Sequence, residues 1–209
     1  MIKILVVDDH PLVLRGLKHT LSSEPDLEVA GEAQTAYEAL ESAGKGRFDL
    51  VVLDISLPDK SGLDVLEELK SRHPSLSVLI LSSFPEEQFA VRAFKSGASG
   101  YVTKKSAPDE LVKAIRKIAA GGKYVSLSLA EKLASFIALD GGKPSHEELS
   151  NREFQILCLI AAGKATGEIA EELCISTSTV GTYRSRVLEK MNMKTNAEIV
   201  RYAVENNLV

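Results

Sequence analysis

Residues 2–9 read Ile-Lys-Ile-Leu-Val-Val-Asp-Asp, and residues 50–54 read Leu-Val-Val-Leu-Asp. Each is a short run of apolar and β-branched residues that ends on acid, the pattern of a strand buried on both faces. Working outward, Leu27 to Gly31, Val78 to Leu81 and Gly100 to Val102 repeat the apolar run. The stretches between them have helical spacing, with Val13, Leu14, Leu17 and Leu21 in the first and Leu63, Val65, Leu66 and Leu69 in the third. Five buried strands alternating with helices predict an α/β fold with a parallel five-stranded sheet joined by right-handed crossovers. A sheet of this kind binds its ligands at the carboxyl ends of the strands, where the strand order reverses.

What stands at those ends is chemically coherent. The first strand runs into Asp8-Asp9 and the third into Asp54, so three carboxylates converge on one edge. Like charges raise each other's pKa, and the cost falls when a cation joins them. Carboxylates and water are hard ligands that suit Mg2+ or Mn2+ better than zinc. The fourth strand ends at Ser82 and the fifth in Thr103-Lys104. Acids, a hydroxyl and an ammonium together suit phosphoryl transfer onto a carboxylate, with an aspartyl phosphate as product. Any one Asp taken alone reads as an ordinary strand-end residue in a solvated loop; the combination of positions points to a site.

The 209 residues are 44% hydrophobic with a net charge of −4, which argues against a protein that coats nucleic acid over its whole surface. The charge is unevenly spread. Residues 1–148 carry 18 Lys and Arg against 22 Asp and Glu, whereas residues 149–209 carry 7 against 7. Four of those last seven cations, Arg184, Arg186, Lys190 and Lys194, lie close together and permit one basic face on a neutral domain. The apolar run at the N-terminus is too short for a signal peptide and no stretch approaches a membrane span, so the chain reads as soluble and cytoplasmic. Cys158 and Cys174 sit among apolar residues and read as buried thiols.

Breaker clusters divide the chain at Gly121-Gly122 and at Asp140-Gly141-Gly142-Lys143-Pro144. Between them Leu129, Leu133, Phe136 and Ile137 predict a linker helix over 129–139. The expected division is therefore 1–120, a linker at 121–147, and a small all-α domain at 148–209. In that last part Ser150, followed three residues later by Glu153, has capping-box spacing. A helix with Ile156, Leu157, Leu159 and Ile160 as its stripe ends at Gly163. A second helix, Glu168 to Leu173, is joined through Cys174-Ile175-Ser176 to a third that starts near Thr177 and runs to Met191. Two short helices on so tight a turn form a DNA-reading helix-turn-helix. The third helix carries Thr179, Thr182, Tyr183, Arg184, Ser185 and Arg186, with Lys190 further on, groups that suit phosphate contacts and base edges. A last helix, Asn196 to Glu205, offers Ile199, Val200 and Ala203 either to a second domain of the same kind or to its own core.

Residues 1 to about 120 resemble the receiver domain of two-component response regulators, which is flavodoxin-like. The resemblance is carried by Asp8-Asp9, by Leu53-Asp54-Ile55-Ser56-Leu57-Pro58 and by Gly62, Ser82, Tyr101 and Lys104. It implies that Asp54 is the phosphoacceptor, that Asp9, Asp54 and the Ser56 carbonyl contact magnesium directly with Asp8 acting through water, and that Ser82 and Tyr101 are switch residues. Lys104, rather than Lys105, fits the family's lysine position. Residues 149–209 resemble the LuxR-type domain through Leu-Ser-x-Arg-Glu, Glu-Ile-Ala and Ile-Ser-x-Ser-Thr-Val, and the pair of domains resembles the NarL/FixJ class. That implies a transcription regulator and not an enzyme, with a histidine kinase, promoter DNA, a second copy when phosphorylated, and RNA polymerase as partners, and no membrane. Tyr183-Arg184 replaces the commoner His-Arg pair. Gly167 and Gly181 stand where the family often has lysine or asparagine, and Gly181 inside a helix costs about 1 kcal/mol relative to alanine. The neutral domain and these glycines leave one alternative, a receiver-controlled protein-interaction module with weak or lost DNA binding. A metal-dependent phosphatase using Asp54 as nucleophile needs a cap or substrate pocket, for which a small helical domain is no substitute.

Overall fold

The computed structural model describes residues 1–106, 108–126, 129–130, 145–206 and 208. The chain forms two compact units, Met1–Lys132 and Leu133–Val209. In the first unit β1 (Ile2–Val7), β2 (Leu27–Ala33), β3 (Leu50–Leu53), β4 (Ser77–Ser82) and β5 (Gly100–Thr103) alternate with α1 (Pro11–Ser22), α2 (Ala36–Lys45), α3 (Gly62–Arg72), α4 (Glu86–Lys95) and α5 (Pro108–Ala119). All strand pairs are parallel, as the sequence predicts, and the order is β2-β1-β3-β4-β5.

Alternation along each strand assigns its residues to opposite faces. Ile4, Val6, Leu50, Val52, Leu79, Leu81 and Val102 pack with Leu14 and Leu21 of α1 and with Leu111, Val112, Ile115 and Ile118 of α5. The intervening residues, Leu5, Val7, Val51, Leu53, Val78, Ile80 and Tyr101, are equally buried. Local chemistry sets the helix starts. Thr35 caps α2 by accepting from Glu38 N, and Asp59, in the loop after β3, accepts from Ala36 N and Tyr37 N at 2.8 and 3.1 Å. That second cap ties the loop carrying the acidic site to a neighbouring helix.

The first unit continues past the Gly121-Gly122 breaker. Tyr124 N donates to Ser99 O at 2.9 Å and Tyr124 bridges to Gly100. Ser126 Oγ lies 2.5 Å from Glu86 Oε1 at the start of α4. Residues the sequence reading gives to the linker thus lie on the edge of the sheet. The linker helix expected over 129–139 lies outside the described residues, apart from Leu129 and Ala130.

The second unit has α6 (Asn151–Ala161), α7 (Thr166–Glu172), α8 (Thr177–Lys190) and α9 (Asn196–Glu205), preceded by a 3-10 turn at Ser145–Glu148. The capping box is present in both directions: Ser150 Oγ accepts from Glu153 N, and Glu153 Oε2 accepts from Ser150 N at 2.8 Å. Arg152 and Gln155 are buried, and Arg152 donates to Gln155 Oε1 at 2.9 Å and to Leu173 O at 3.0 Å. The Leu-Ser-x-Arg-Glu stretch therefore anchors α6 to the end of α7. Ile199 and Ala203 of α9 are buried within the domain, while Val200 and Val204 are exposed. Cys158 is buried, but Cys174 is exposed, contrary to the expectation from its apolar neighbours. At φ +50° it takes the left-handed conformation of the tight turn after α7, and the buried residue there is Leu173. Among the described residues no helix is long and apolar enough to cross a membrane.

Candidate functional site

The reversal of strand order falls between β1 and β3, and the acids stand there. Val7 and Leu53 are register partners, and Asp54 N donates to Val7 O at 3.0 Å, so the residues that follow emerge side by side. Asp8 and Asp54 are 1% and 2% exposed. Lys104, one residue beyond β5, reaches across β4 and sets its Nζ 2.5 Å from Asp8 Oδ2 and 2.8 Å from Asp54 Oδ2. Lys105 is exposed. Of the two lysines the sequence offers, the pocket takes Lys104.

Burial pushes the Asp54 carboxyl up to about 6, with Asp8 adding to the rise and Lys104 opposing it. For Lys104, burial favours the neutral amine, yet the facing charges of Asp54 and Asp8 outweigh burial and hold its pKa above the usual value. The other Asp54 oxygen, Oδ1, accepts from Ile55 N at 2.8 Å. His10, which the sequence reading passes over, brings its Nδ1 within 2.6 Å of Asp9 Oδ1 and 3.4 Å of Asp8 Oδ1. Asp8, Asp9 and His10 could share one ion, since a ligand atom from each lies within 4.8 Å of the others. Adjacency to the acidic pair was the available signal for His10.

The loop after Asp54 closes tightly. Ser56 and Ser61 form an isolated antiparallel bridge, and Gly62 N donates to Ile55 O at 2.8 Å. A Cβ on Gly62 would fall 1.9 Å from Asp54 O and 2.8 Å from Ile55 Cα, so only glycine lets the start of α3 lie against the backbone of Asp54.

Ser82 is fully buried at the end of β4, and its Oγ accepts from Phe84 N at 3.3 Å. The Tyr101 ring is buried beneath the same loop and its hydroxyl donates to Phe84 O at 2.9 Å. Burial raises the Tyr101 pKa well above its ordinary value and keeps the phenol protonated. Phe84 packs against Phe89 of α4 with ring centroids 4.5 Å apart and the rings tilted by 35°. A chain of contacts thus runs from the acidic edge through Ser82, the loop and Tyr101 to α4.

In the second unit α7 and α8 are joined by four residues, Leu173 to Ser176, and Ser176 caps α8 by accepting from Thr179 N. Val180 and Val187 are the buried residues of α8, which leaves Thr182, Ser185, Arg186 and Lys190 exposed and Thr179, Tyr183 and Arg184 half-buried. The three cations are held differently. Arg184 Nε donates to Asn196 Oδ1 at 2.6 Å, the Arg186 guanidinium lies 5.8 Å from the Tyr183 ring centroid, and Lys190 Nζ is 2.7 Å from Glu153 Oε2. Glu153 is buried; burial alone would raise its carboxyl, but Lys190 and the Ser150 bonds hold it below the usual value. The partners Asn196 and Glu153 escape sequence reading because 12 and 37 residues separate them from their cations. Cβ atoms on Gly167 and Gly181 would meet nothing within 4 Å, so packing requires neither glycine.

Comparison with known proteins agrees with both halves. The response regulator receiver domain family matches residues 4–116, and the luxR family of bacterial regulatory proteins matches residues 147–203. The response regulator GacA of Pseudomonas aeruginosa is 36% identical over 211 residues, covering 100% of this chain and 98% of that protein. A LuxR-family two-component response regulator from Aurantimonas sp. SI85-9A1 is 36% identical with a TM-score of 0.60, covering 65% of this chain and 97% of that one. RcsB from Salmonella enterica serovar Typhimurium, solved on promoter DNA in the presence of the phosphomimetic BeF3−, is 25% identical with a TM-score of 0.61, over 96% of this chain and 97% of that one. A receiver matched over more than half of the chain, followed by a LuxR-type domain, makes this protein a member of the NarL/FixJ class of response regulators.

Proposed function

We propose that the chain is a phosphorylation-switched transcription factor in which Asp54 takes up the phosphoryl group and α8 contacts DNA. The observation that carries this reading is the Lys104 ammonium spanning Asp8 and Asp54 in a buried pocket at the carboxyl edge of the sheet. With a phosphohistidine of a partner kinase as donor, an Asp54 oxygen attacks phosphorus and the P–N bond breaks. The imidazole leaves with the electron pair and takes up a proton from solvent. Lys104 faces the charge that accumulates on the phosphoryl oxygens. Asp8, Asp9, Asp54 and the Ser56 carbonyl would hold Mg2+ or Mn2+, and the donor set fits, being hard oxygens whose clustered negative charge favours a divalent cation. When bound, the ion adds a second neutralising charge. Ser82 would then hydrogen-bond the phosphoryl group, drawing on the loop above Tyr101 and altering the surface around α4.

The reading divides the chain into a receiver at 1–120, a linker at 121–147 and a DNA-binding domain at 148–209. RcsB on promoter DNA supports the DNA half by analogy. Contacts are assigned to Thr179, Thr182, Tyr183, Arg184, Ser185 and Arg186, with Lys190 contributing least because Glu153 neutralises it. Phosphorylated copies pair so that two such helices meet a two-fold operator, and RNA polymerase is the partner downstream. The protein acts as a cytoplasmic regulator rather than as an enzyme. Incubation with acetyl phosphate and Mg2+ tests the proposal: a phosphate-affinity gel should show a shifted band that Asp54→Asn abolishes, together with phosphodonor-dependent dimerisation and promoter binding. Retention of those responses in Asp54→Asn would overturn it.

The paired Lys190 and the two open glycines favour one second reading, an interaction module with weak DNA binding. Selection from a randomised duplex pool separates the two, since the module would enrich no sequence.

A further inference from the structure

Arg184 is held by a neutral partner. Lys190 has its charge balanced by a carboxylate, and Arg186 lies over an aromatic ring, but the Nε of Arg184 donates 2.6 Å to the side-chain oxygen of Asn196. Among the described residues nothing takes its two Nη groups. A guanidinium offers a planar fork of donors that matches a phosphate, and one bound through Nε alone keeps that fork and its full charge.

The platform is rigid on both sides. Arg184 stands on α8 between the buried anchors Val180 and Val187. Asn196 opens α9, where Thr195 caps the helix and Ile199 and Ala203 are buried. An apolar residue at position 196 could not hold the guanidinium. A carboxylate could hold it but would cancel the charge. Asparagine does the first without the second.

We propose that Asn196 is the positioning residue for phosphate contact by Arg184, ordering the guanidinium before DNA arrives. The inference rests on α8 being the DNA-contacting helix. A rotamer-rich side chain ordered in advance saves an entropic cost worth about three- to tenfold in affinity. A purely structural role, stapling α8 to α9, would change thermal stability without changing how binding responds to salt.

Full-length protein with Mg2+ and acetyl phosphate, titrated against a labelled mixed-sequence duplex over a range of KCl concentrations, distinguishes the two. Arg184→Ala should lower the slope of log K against log salt by about 0.9, the loss of one phosphate contact. Asn196→Ala should weaken binding about three- to tenfold in the wild-type background and not at all in Arg184→Ala. Asn196→Asp, which keeps the acceptor, should reduce the salt slope as Arg184→Ala does. Far-UV circular dichroism checks the fold of each variant, and Asn196 is exposed. Equal losses from Asn196→Ala in both backgrounds, or no loss in either, would overturn the positioning role while leaving DNA binding intact. If the wild-type protein binds no duplex at any salt, the DNA reading fails and this inference fails with it.

Discussion

Lys104 and Asp54 meet across the carboxyl edge of the sheet, Nζ to Oδ2 at 2.8 Å, although 50 residues and strand β4 separate them. The same ammonium touches Asp8, so one cation offsets two buried carboxylates. Lys104→Met should leave both acids without that offset and cost about 3 kcal/mol in metal-free protein at neutral pH. Urea denaturation in EDTA measures it, and Mg2+ should restore part of the loss. An unchanged midpoint would mean that Lys104 does not stabilise the pocket.

Stability of the metal-free protein should depend on pH in two separate windows. The Asp54 carboxyl is raised to about 6 from 3.8, chiefly by burial, so the folded chain holds a proton that the unfolded chain has lost. Stability therefore rises as pH falls from 6 towards 4, by on the order of 3 kcal/mol for this group, and the full penalty stands above pH 6. Other acids act in the opposite sense. Asp26, hydrogen-bonded by Arg116, is lowered to about 2, and Glu153 lies below its ordinary value. Their contribution is present above their unfolded pKa values and is lost as pH falls further, below roughly 4. Urea midpoints across this range should pass through a maximum. Asp54→Asn should remove the rise between pH 6 and 4 and leave the acid limb in place; a variant with the wild-type profile would refute the assignment.

Gly62→Ala should disable the site without touching a charged group. Its Cβ would overlap Asp54 O, and backbone atoms cannot swing aside as a flexible side chain can. The expected cost is about 2 kcal/mol or more, with the turn beside Asp54 displaced and acetyl-phosphate labelling reduced. Wild-type labelling and melting temperature would show that the turn has room.

Gly181→Ala is expected to do the reverse. A Cβ there meets nothing within 4 Å, and Gly181 is in the interior of α8. Removing the glycine should stabilise the second unit by about 1 kcal/mol. A melting transition that does not rise would mean that the helix is already held by its packing. Because the position is open, Gly181→Lys should also tighten duplex binding and steepen its salt dependence.

The central strands were legible because a buried parallel strand needs an uninterrupted apolar run, as in Leu50–Leu53, whereas β2, at the sheet's edge, is interrupted by Glu28 and Glu32. The acids after β1 and β3 were legible because a carboxylate directly following an apolar run marks the point where the strand ends. Helix starts such as Ser150 with Glu153 depend on residues three apart. Cys174 misled because apolar flanks say nothing about backbone hand: its positive φ belongs to the turn, and exposure follows from that turn rather than from hydropathy. Gly121-Gly122 ends a helix, but that the chain beyond it returns to the sheet edge at Tyr124 and Ser126 rests on contacts with Gly100 and Glu86, which local composition does not mark.

By itself the sequence determined the alternating sheet, the acids at the ends of β1 and β3, and the helices of the second unit with the capped start of α6, all products of periodicity and short-range hydrogen bonding. Only the tertiary structure decided that Tyr101 reaches Phe84 O, that Glu153 claims Lys190, and that Asn196 holds Arg184. Each of those pairings joins residues from different elements. Which partners meet is fixed by how the elements pack and where a side chain turns at an element's end, and neither leaves a mark on the residues nearby in sequence.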